Sequence, residues 1–315
     1  MNRMVESVLA PAGPQAAHIS WLWWLMVSIS TAVFLLVFGF IVAAMIRGRR
    51  ATRPDLGGEN RLTLGVAIGV TLTAVTLFVV LGATMATQRS ILSLGAESAL
   101  TINVTGHQFW WEIEYDDSVP ERRVQTANEI HIPLNRPVVL KVTSRDVIHS
   151  FWAPNLHGKR DLVPGYLTAI WLQADRPAVY RGQCAEFCGK QHAHMAFEII
   201  AQPEADFEQW LDGQRAPSVP PTTAEMMTGR DVFMRSQCVL CHSIRGTSAQ
   251  GRVGPNLTHV ASRERIAAAT LPNTFDHLWD WVRDPQGIKP GSQMPPTPLT
   301  DDERSALVTY LGSLK

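Results

Sequence analysis

An excess of charge is the first thing this sequence lacks. Lys and Arg number 28 and Asp and Glu 28, for a formal net charge of zero. Nothing therefore points to nucleic acid or another bulk polyanion as a partner. Cysteine is scarce, with four in 315 residues. They fall in two short clusters, Cys184 with Cys188 and Cys238 with Cys241. No internal repeat is present. The opening segment, Met1 to His18, has two charges and no apolar core, so it does not by itself make a signal peptide.

Charge disappears altogether from Ile19 to Ile46 and again from Leu62 to Gln88. Each run is long enough to cross a bilayer core of ~30 Å as a helix. After Arg89 no comparable run follows, and a mean hydropathy near zero conceals this asymmetry. The intervening loop holds Arg47, Arg49, Arg50, Arg53 and Arg61 against Asp55 and Glu59. The positive-inside rule makes that loop cytoplasmic, with both termini and all four cysteines on the oxidising side. An uncleaved signal anchor is the alternative for the first run. The run's length and the presence of a second favour a helical hairpin. Four cysteines on that side are by default disulfides.

From about Ala99 to Ala201 the pattern turns to short alternating runs rich in β-branched and aromatic residues, such as "ALTINVTGHQFWWEIEY" and "EIHIPLNRPVVLKVTS". Asn135-Arg136-Pro137 and Val163-Pro164-Gly165 break them up, which predicts a β-sandwich. A short helix around Phe207 to Leu211 is expected next, followed by the Pro-rich linker "RAPSVPPTT". Beyond it the chain reads as helical. Helices are expected over Ala224–Ser236 and Phe275–Asp284, and a last one at Thr300-Asp301-Asp302-Glu303, which has capping-box spacing. The expected division is a membrane anchor (1–97), a β-domain (98–205), a linker (206–224) and an all-α domain (225–315).

Cys238-Val239-Leu240-Cys241-His242 is C-x-x-C-H. Two thiols can add to the two vinyl groups of a haem while the adjacent imidazole reaches the iron. A thioredoxin-like redox pair or half a zinc site are the alternatives. The immediate histidine and the oxidising location favour c-type haem. Met294, in the Pro/Gly-rich loop "IKPGSQMPPTP", is the expected second axial ligand. A His/Met pair raises the potential and suits electron transfer. Met226, Met227 and Met234 read as plain core. This segment resembles a class I cytochrome c over about 225–315. The resemblance carries the hydrogen-bonding proline carbonyl of the family to Pro255 in "GPNLTHV", as the partner that orients His242. It also implies that the terminal helix, with Tyr310, crosses the first helix near Gly229.

In "CAEFCGKQHAHM" (184–195) two cysteines, two histidines and a methionine can converge from one tight loop. Soft thiolates with imidazole and thioether donors select copper. Two cysteines can bridge two coppers when a further histidine comes from another strand, and "RDVIHSFWAPN" supplies His149. A Cys184–Cys188 disulfide is the alternative. His194 does not fit the pattern and reads as exposed. His107 reads as a hydrogen-bonded structural residue, and His157 as structural or part of a proton path.

The stretch matches C-x-E-x-C-x-x-x-H-x-x-M, the motif of the dinuclear CuA centre in cytochrome c oxidase subunit II. "GHQFWWEIEY", "DVIHS" and "KRDLVPGY" agree with that family. The resemblance implies a cupredoxin-like sandwich holding two coppers by Cys184, Cys188, His149, His192, Met195 and the Glu186 carbonyl. It implies that the Glu186 carboxylate ligates a magnesium or manganese ion at the face of subunit I. With the fused cytochrome c, the chain resembles subunit II of a caa3-type oxidase in a bacterial plasma membrane. Oxidase subunits I and III, membrane lipid and an electron donor such as a cytochrome c or the bc1 complex are the implied partners. No oxygen-reducing or other catalytic residue is expected on this chain. One departure is Phe109, where the mitochondrial-type pattern has the tryptophan that receives electrons. Phe109, Trp110 and Trp111 are the candidates for the electron path. Glu59 lies near the place where related subunits feed a proton channel. A copper chaperone would need exposed, exchangeable donors, and a quinol oxidase subunit II lacks the copper ligands. The CuA and haem c subunit of a nitric oxide reductase remains the alternative.

Overall fold

A computed structural model of the chain describes residues 2–50, 59–92 and 100–315. Two helices, α1 (Pro14–Arg50) and α2 (Glu59–Leu92), come first. Large apolar side chains such as Phe34, Phe40, Leu72 and Phe78 stand exposed on them. Helices apolar all round and open to their surroundings suit lipid. The Thr73, Thr76 and Thr84 hydroxyls donate to carbonyls four residues back, so these polar groups are satisfied within the helix, as hydrocarbon demands. The membrane-capable lengths, Pro14–Arg49 and Asn60–Leu92, enclose the expected runs at 20–46 and 62–88. The helices extend past the apolar runs because propagation, once nucleated, does not stop where charge begins. Arg53, Asp55 and the Glu59 side chain lie outside the described residues. Residues 17–94 form one compact unit, and the rest of the chain another.

In the second unit, ten strands precede the copper-type and haem-type motifs or carry them. They are β1 (Leu100–His107), β2 (Trp110–Tyr115), β3 (Val124–Ala127), β4 (Glu129–Pro133), β5 (Val138–Ser144), β6 (His149–Trp152), β7 (Arg160–Leu162), β8 (Thr168–Leu172), β9 (Ala178–Cys184) and β10 (Ala196–Gln202). They form two five-stranded sheets, in the orders β3-β2-β1-β5-β8 and β4-β10-β9-β6-β7. β1 runs parallel to β5 and antiparallel to β2, with Gly106 opposite Trp111. The two-residue period turns Trp111, Ile113 and Tyr115 inward, fully or almost fully buried, while Trp110, Glu112 and Glu114 face the other way. Tyr180, Phe151, Phe197, Ile130 and Ile132 complete the core between the sheets. The sandwich expected from the alternating runs is therefore present.

Residues 2–13 were not read as structured from sequence, yet they pack on this sandwich. Met4 N–H donates to the Val179 carbonyl at 3.0 Å and Ala12 N–H to that of Asn155 at 2.7 Å.

The linker begins later than expected. Residues 204–215 form helix α3 (Glu204–Arg215), longer than the anticipated Phe207–Leu211 turn. Its Phe207 is buried, and Trp210 lies on Tyr115 (5.2 Å) and stacks on His131 (3.9 Å). That aromatic face draws the helix onto the sandwich, leaving residues 216–223 as the extended connection.

The remaining elements are α4 (Ala224–Arg235), α5 (Cys238–Cys241), the short pair β11 (Arg265–Ile266) and β12 (Leu271–Pro272), α6 (Phe275–Arg283), α7 (Pro285–Ile288) and α8 (Asp301–Leu311). The capping box expected at Thr300 is formed, with Thr300 Oγ1 accepting from Glu303 N–H and the Glu303 carboxylate accepting from Thr300 N–H. α4 and α8 cross at Gly229. A Cβ there would lie 2.0 Å from the Ala306 carbonyl oxygen and 2.8 Å from Tyr310 Cβ, so only glycine permits the approach. Val232, Phe233, Leu307 and Tyr310 are the centre of this smaller core. Met227 was expected in it but is 46% exposed, because its position on α4 turns it away from α8.

Candidate metal centre and haem cleft

β9 ends at Cys184, and the loop to β10 carries Glu186, Cys188, His192 and Met195 before the sheet resumes. β6 lies beside β9, with Phe151 opposite Cys184, and this brings His149 over the loop. The described donors converge. Cys184 Sγ and Cys188 Sγ are 3.8 Å apart, far beyond the ~2.05 Å of a disulfide, and all four cysteines are free. His149 Nδ1 lies 3.8 Å from Cys184 Sγ, and His192 Nδ1 and Met195 Sδ each lie 3.8 Å from Cys188 Sγ. The Glu186 carbonyl oxygen is 3.2 Å from Cys184 Sγ. His149, Cys184 and Cys188 place their donor atoms within 4.8 Å of one another, all buried.

Two features prepare His149. Gly106 clears space, since a Cβ there would stand 2.8 Å from His149 Cδ2. Asp146 Oδ1 accepts from His149 Nε2–H at 2.8 Å, so the proton is on Nε2 and Nδ1 is free to face the thiols. Burial opposes the charge on Asp146, but hydrogen bonds from His149 and from the Gln108 and Val147 amides outweigh it and hold the carboxyl below its usual range. Burial likewise lowers His149, and hydrogen bonds with Cys184 and Asp146 more than offset it. The hydrogen bond from Cys188 pulls Cys184 far down against burial, and that same bond, with burial, pushes Cys188 up. Two buried sulfurs, two imidazoles that face them through Nδ1, a thioether and a carbonyl form a soft donor set that fits paired copper. Asp146 was missed from sequence. Its place three residues before His149 was the available signal.

Trp111 sits beneath this loop with its indole Nε1–H 3.4 Å from the Met195 carbonyl, packed edge-on against Phe151 and Phe197. His107 stacks on Trp110 and bonds Glu112, the structural part expected of it. His194 is exposed, as expected. Burial lowers His157 to about 4. The Glu186 side chain is 44% exposed, with Lys159 Nζ 3.3 Å away.

In the smaller domain, Cys238, Cys241, His242, Pro255 and Met294 line one apolar cleft. His242 Nδ1 lies 2.7 Å from the Pro255 carbonyl. That oxygen can only accept, so Nδ1 carries the proton and Nε2 is free to bind a metal. Burial lowers His242, and the carbonyl partly offsets it. Gln286 Nε2 donates to the carbonyls of Ser292 and Met294 at 2.7 and 2.8 Å and fixes the methionine loop. Buried Arg263 also lines the cleft. Its Nη2 donates to the Asn256 carbonyl at 2.6 Å, while its Nε–H has no partner. An apolar slot with paired thiols at one edge and a guanidinium N–H without a partner in its wall fits a haem and its carboxylates. Nothing in the sequence marked Arg263. Phe109 and Trp110, from the sandwich, line the same cleft. Gly189, next to Cys188, abuts the Phe109 ring, for a Cβ there would be 3.2 Å from Phe109 Cζ.

A family model described as cytochrome c oxidase subunit II, periplasmic domain, matches residues 118–202, and one described as cytochrome c matches 226–315. Cytochrome c oxidase subunit 2 of Alkalihalophilus pseudofirmus is 34% identical over 318 residues, covering 98% of this chain and 91% of the relative. Quinol oxidase subunit 2 of Bacillus spizizenii is 30% identical over 65% of either chain. The solved periplasmic domain of cytochrome oxidase subunit II from Bradyrhizobium japonicum aligns with 30% identity and a TM-score of 0.36, over 38% of this chain and 96% of its own.

Proposed function

The chain belongs to the cytochrome c oxidase subunit 2 family, and from that premise we propose that it is the electron-input subunit of a proton-pumping haem–copper oxidase. It would be anchored in a bacterial plasma membrane by α1 and α2, with both termini and both soluble domains on the extracytoplasmic side. When bound, the covalent haem c and the two coppers supply one-electron carriers between an external donor and haem a of subunit I, where oxygen is reduced to water. The convergence of the thiol, imidazole and thioether donors at 3.8 Å spacings carries this reading.

The chain's own residues hold and orient these groups. Cys184, Cys188, His149, His192, Met195 and the Glu186 carbonyl would hold the coppers. Cys238 and Cys241 would bind the haem, His242 and Met294 would hold its iron, and Pro255 fixes the imidazole. Arg263 would pair with a haem carboxylate. Asp146 and Gly106 hold His149 in place, and a stiff sandwich minimises rearrangement when charge moves. Phe109 reaches from the cleft wall to Gly189 beside Cys188, so an electron can pass at this position without a tryptophan, with Trp110 alongside it. Trp111, hydrogen-bonded to the Met195 carbonyl, is the third candidate for the electron path. The exposed Glu186 carboxylate would meet a magnesium or manganese ion at the face of subunit I. Subunit III and a donor such as a cytochrome c or the bc1 complex complete the set of partners.

The test is the copper EPR spectrum of the oxidised, purified oxidase with a haem stain of this chain. One unpaired electron shared equally between two coppers, beside a covalent haem, is the expected result. A four-line mononuclear signal, or a Cys184–Cys188 disulfide, would overturn it.

A further inference from the structure

Lys289 is the least expected buried side chain in the molecule. It is 2% exposed, and burial lowers its pKa to about 8. Its partners are three backbone carbonyls and no carboxylate: His194 at 2.9 Å, Ala267 at 3.0 Å and Phe109 at 3.3 Å. A buried ammonium held by carbonyls, with the Cys188 sulfur only partly offsetting its burial, is costly, and such a group persists where it holds a specific arrangement. These carbonyls come from three segments distant in sequence. His194 lies between the copper-type donors His192 and Met195. Phe109 is in the β1–β2 turn. Ala267 opens the β11–β12 turn, where Ala267, Ala268 and Ala269 all have left-handed backbone, φ 54° to 58°. Lys289 itself follows α7, in the loop that leads to Met294.

Further contacts surround this point. Ala196 N–H, next to Met195, donates to the Ala268 carbonyl at 3.3 Å. Gln191 Nε2 donates to the Pro290 carbonyl at 3.0 Å. At the rim, Arg3 bridges Glu198 of the sandwich and Glu264 of the smaller domain, and Arg245 donates to the Arg123 carbonyl at 2.8 Å. A buried centre ringed by polar contacts resembles the anatomy of a specific interface.

We propose that Lys289 is a positioning residue, a latch that seats the haem-type domain on the loop carrying His192 and Met195. The two centres then face each other in one docked geometry rather than meeting through swings of the 216–223 connection. The inference rests on the two-centre function proposed above.

The experiment compares wild-type, Lys289→Met and Lys289→Gln forms of the whole purified oxidase. The methionine keeps the stem and loses every donor, while the glutamine keeps two. Hydrogen exchange is followed in segments 190–198 and 264–272. The rate of electron re-equilibration between haem c and copper is measured after a flash, at two viscosities. In Lys289→Met, exchange in both segments should rise at least about tenfold. The electron rate should fall by roughly tenfold, because small misplacements of reacting groups are costly, and should become viscosity-dependent. Lys289→Gln should recover part of both. The copper EPR spectrum and the Met-ligated haem absorption should stay unchanged.

Unchanged exchange and rate would overturn the latch. Loss of the copper or haem signature would overturn it too, by making Lys289 a support of one site alone. A missing two-copper signal in the wild type would instead defeat the function proposed above, while the exchange data still judged the latch.

Discussion

The copper-type pocket and the haem-type cleft lie in one unit but are built on opposite plans. The pocket is the end of a large core. Cys184, Cys188, Met195 and His149 are 0–4% exposed, their donors are already together, and Trp111, Phe151 and Phe197 pack beneath them. The cleft is a gap at the centre of a small core, with Cys238, Cys241, His242 and Met294 only half-buried around it. A sandwich with its own core can hold a metal site in waiting. A domain of about 90 residues whose core surrounds a cleft depends on the group held there.

The largest effect should come from emptying the cleft. The double variant Cys238→Ala/Cys241→Ala should show no haem stain, and amides of α4 and α8 should lose hydrogen-exchange protection while those of β9 and β10 keep theirs. Persisting protection in both helices would contradict the comparison. Next, Gly106→Ala should push His149 aside and weaken copper binding by about 10- to 100-fold, the range seen for residues that support ligands. Competition with a chelator would read this, and an unchanged affinity would show that the pocket is less preformed than its geometry implies.

A third test sharpens the stability of the sandwich alone. Buried His131, stacked on Trp210, has its pKa lowered to about 3 by burial, below its ordinary 6.5. Its contribution is therefore present above pH 6.5 and is lost as pH falls toward the folded value, by about 2 kcal/mol at pH 5. Buried Glu129, 4.0 Å from His131 and raised by burial to about 7, shifts stability the opposite way over the same range. The His131 share is therefore read in melting temperatures as the difference from His131→Phe, which keeps the stack and should lose less stability than wild type between about pH 7 and 5. An equally steep fall in that variant would assign the effect elsewhere. The smallest change is Thr300→Ala, which removes the cap of α8 and should lower the stability of the haem-type domain by about 1 kcal/mol. Thermal loss of haem absorbance measures it, and no shift would mean that the cap is redundant.

Much of this was legible beforehand where spacing is local. The Cys184–Met195 loop, the C-x-x-C-H turn, the Thr300 cap and the two apolar runs each declare themselves within a dozen to thirty residues. Asp146 could be suspected from its place beside His149. Arg263 and Lys289 could not, because a charged residue in a polar loop reads as surface until the fold buries it. Met227 misled for the opposite reason, since its apolar side chain says nothing about which way α4 turns.

The sequence by itself determined the elements and the chemistry of the donors, because helical and strand periods and metal-ligand types are properties of short segments. Only the tertiary structure decided which distant pieces meet. His149 comes 35 residues before Cys184, and Phe109 stands 180 residues from Lys289. α3 is drawn onto the sandwich by Trp210, and the haem-type domain is seated against the copper-type loop. Such pairings follow from burying surfaces and satisfying backbone carbonyls across the whole chain, and no local pattern encodes them.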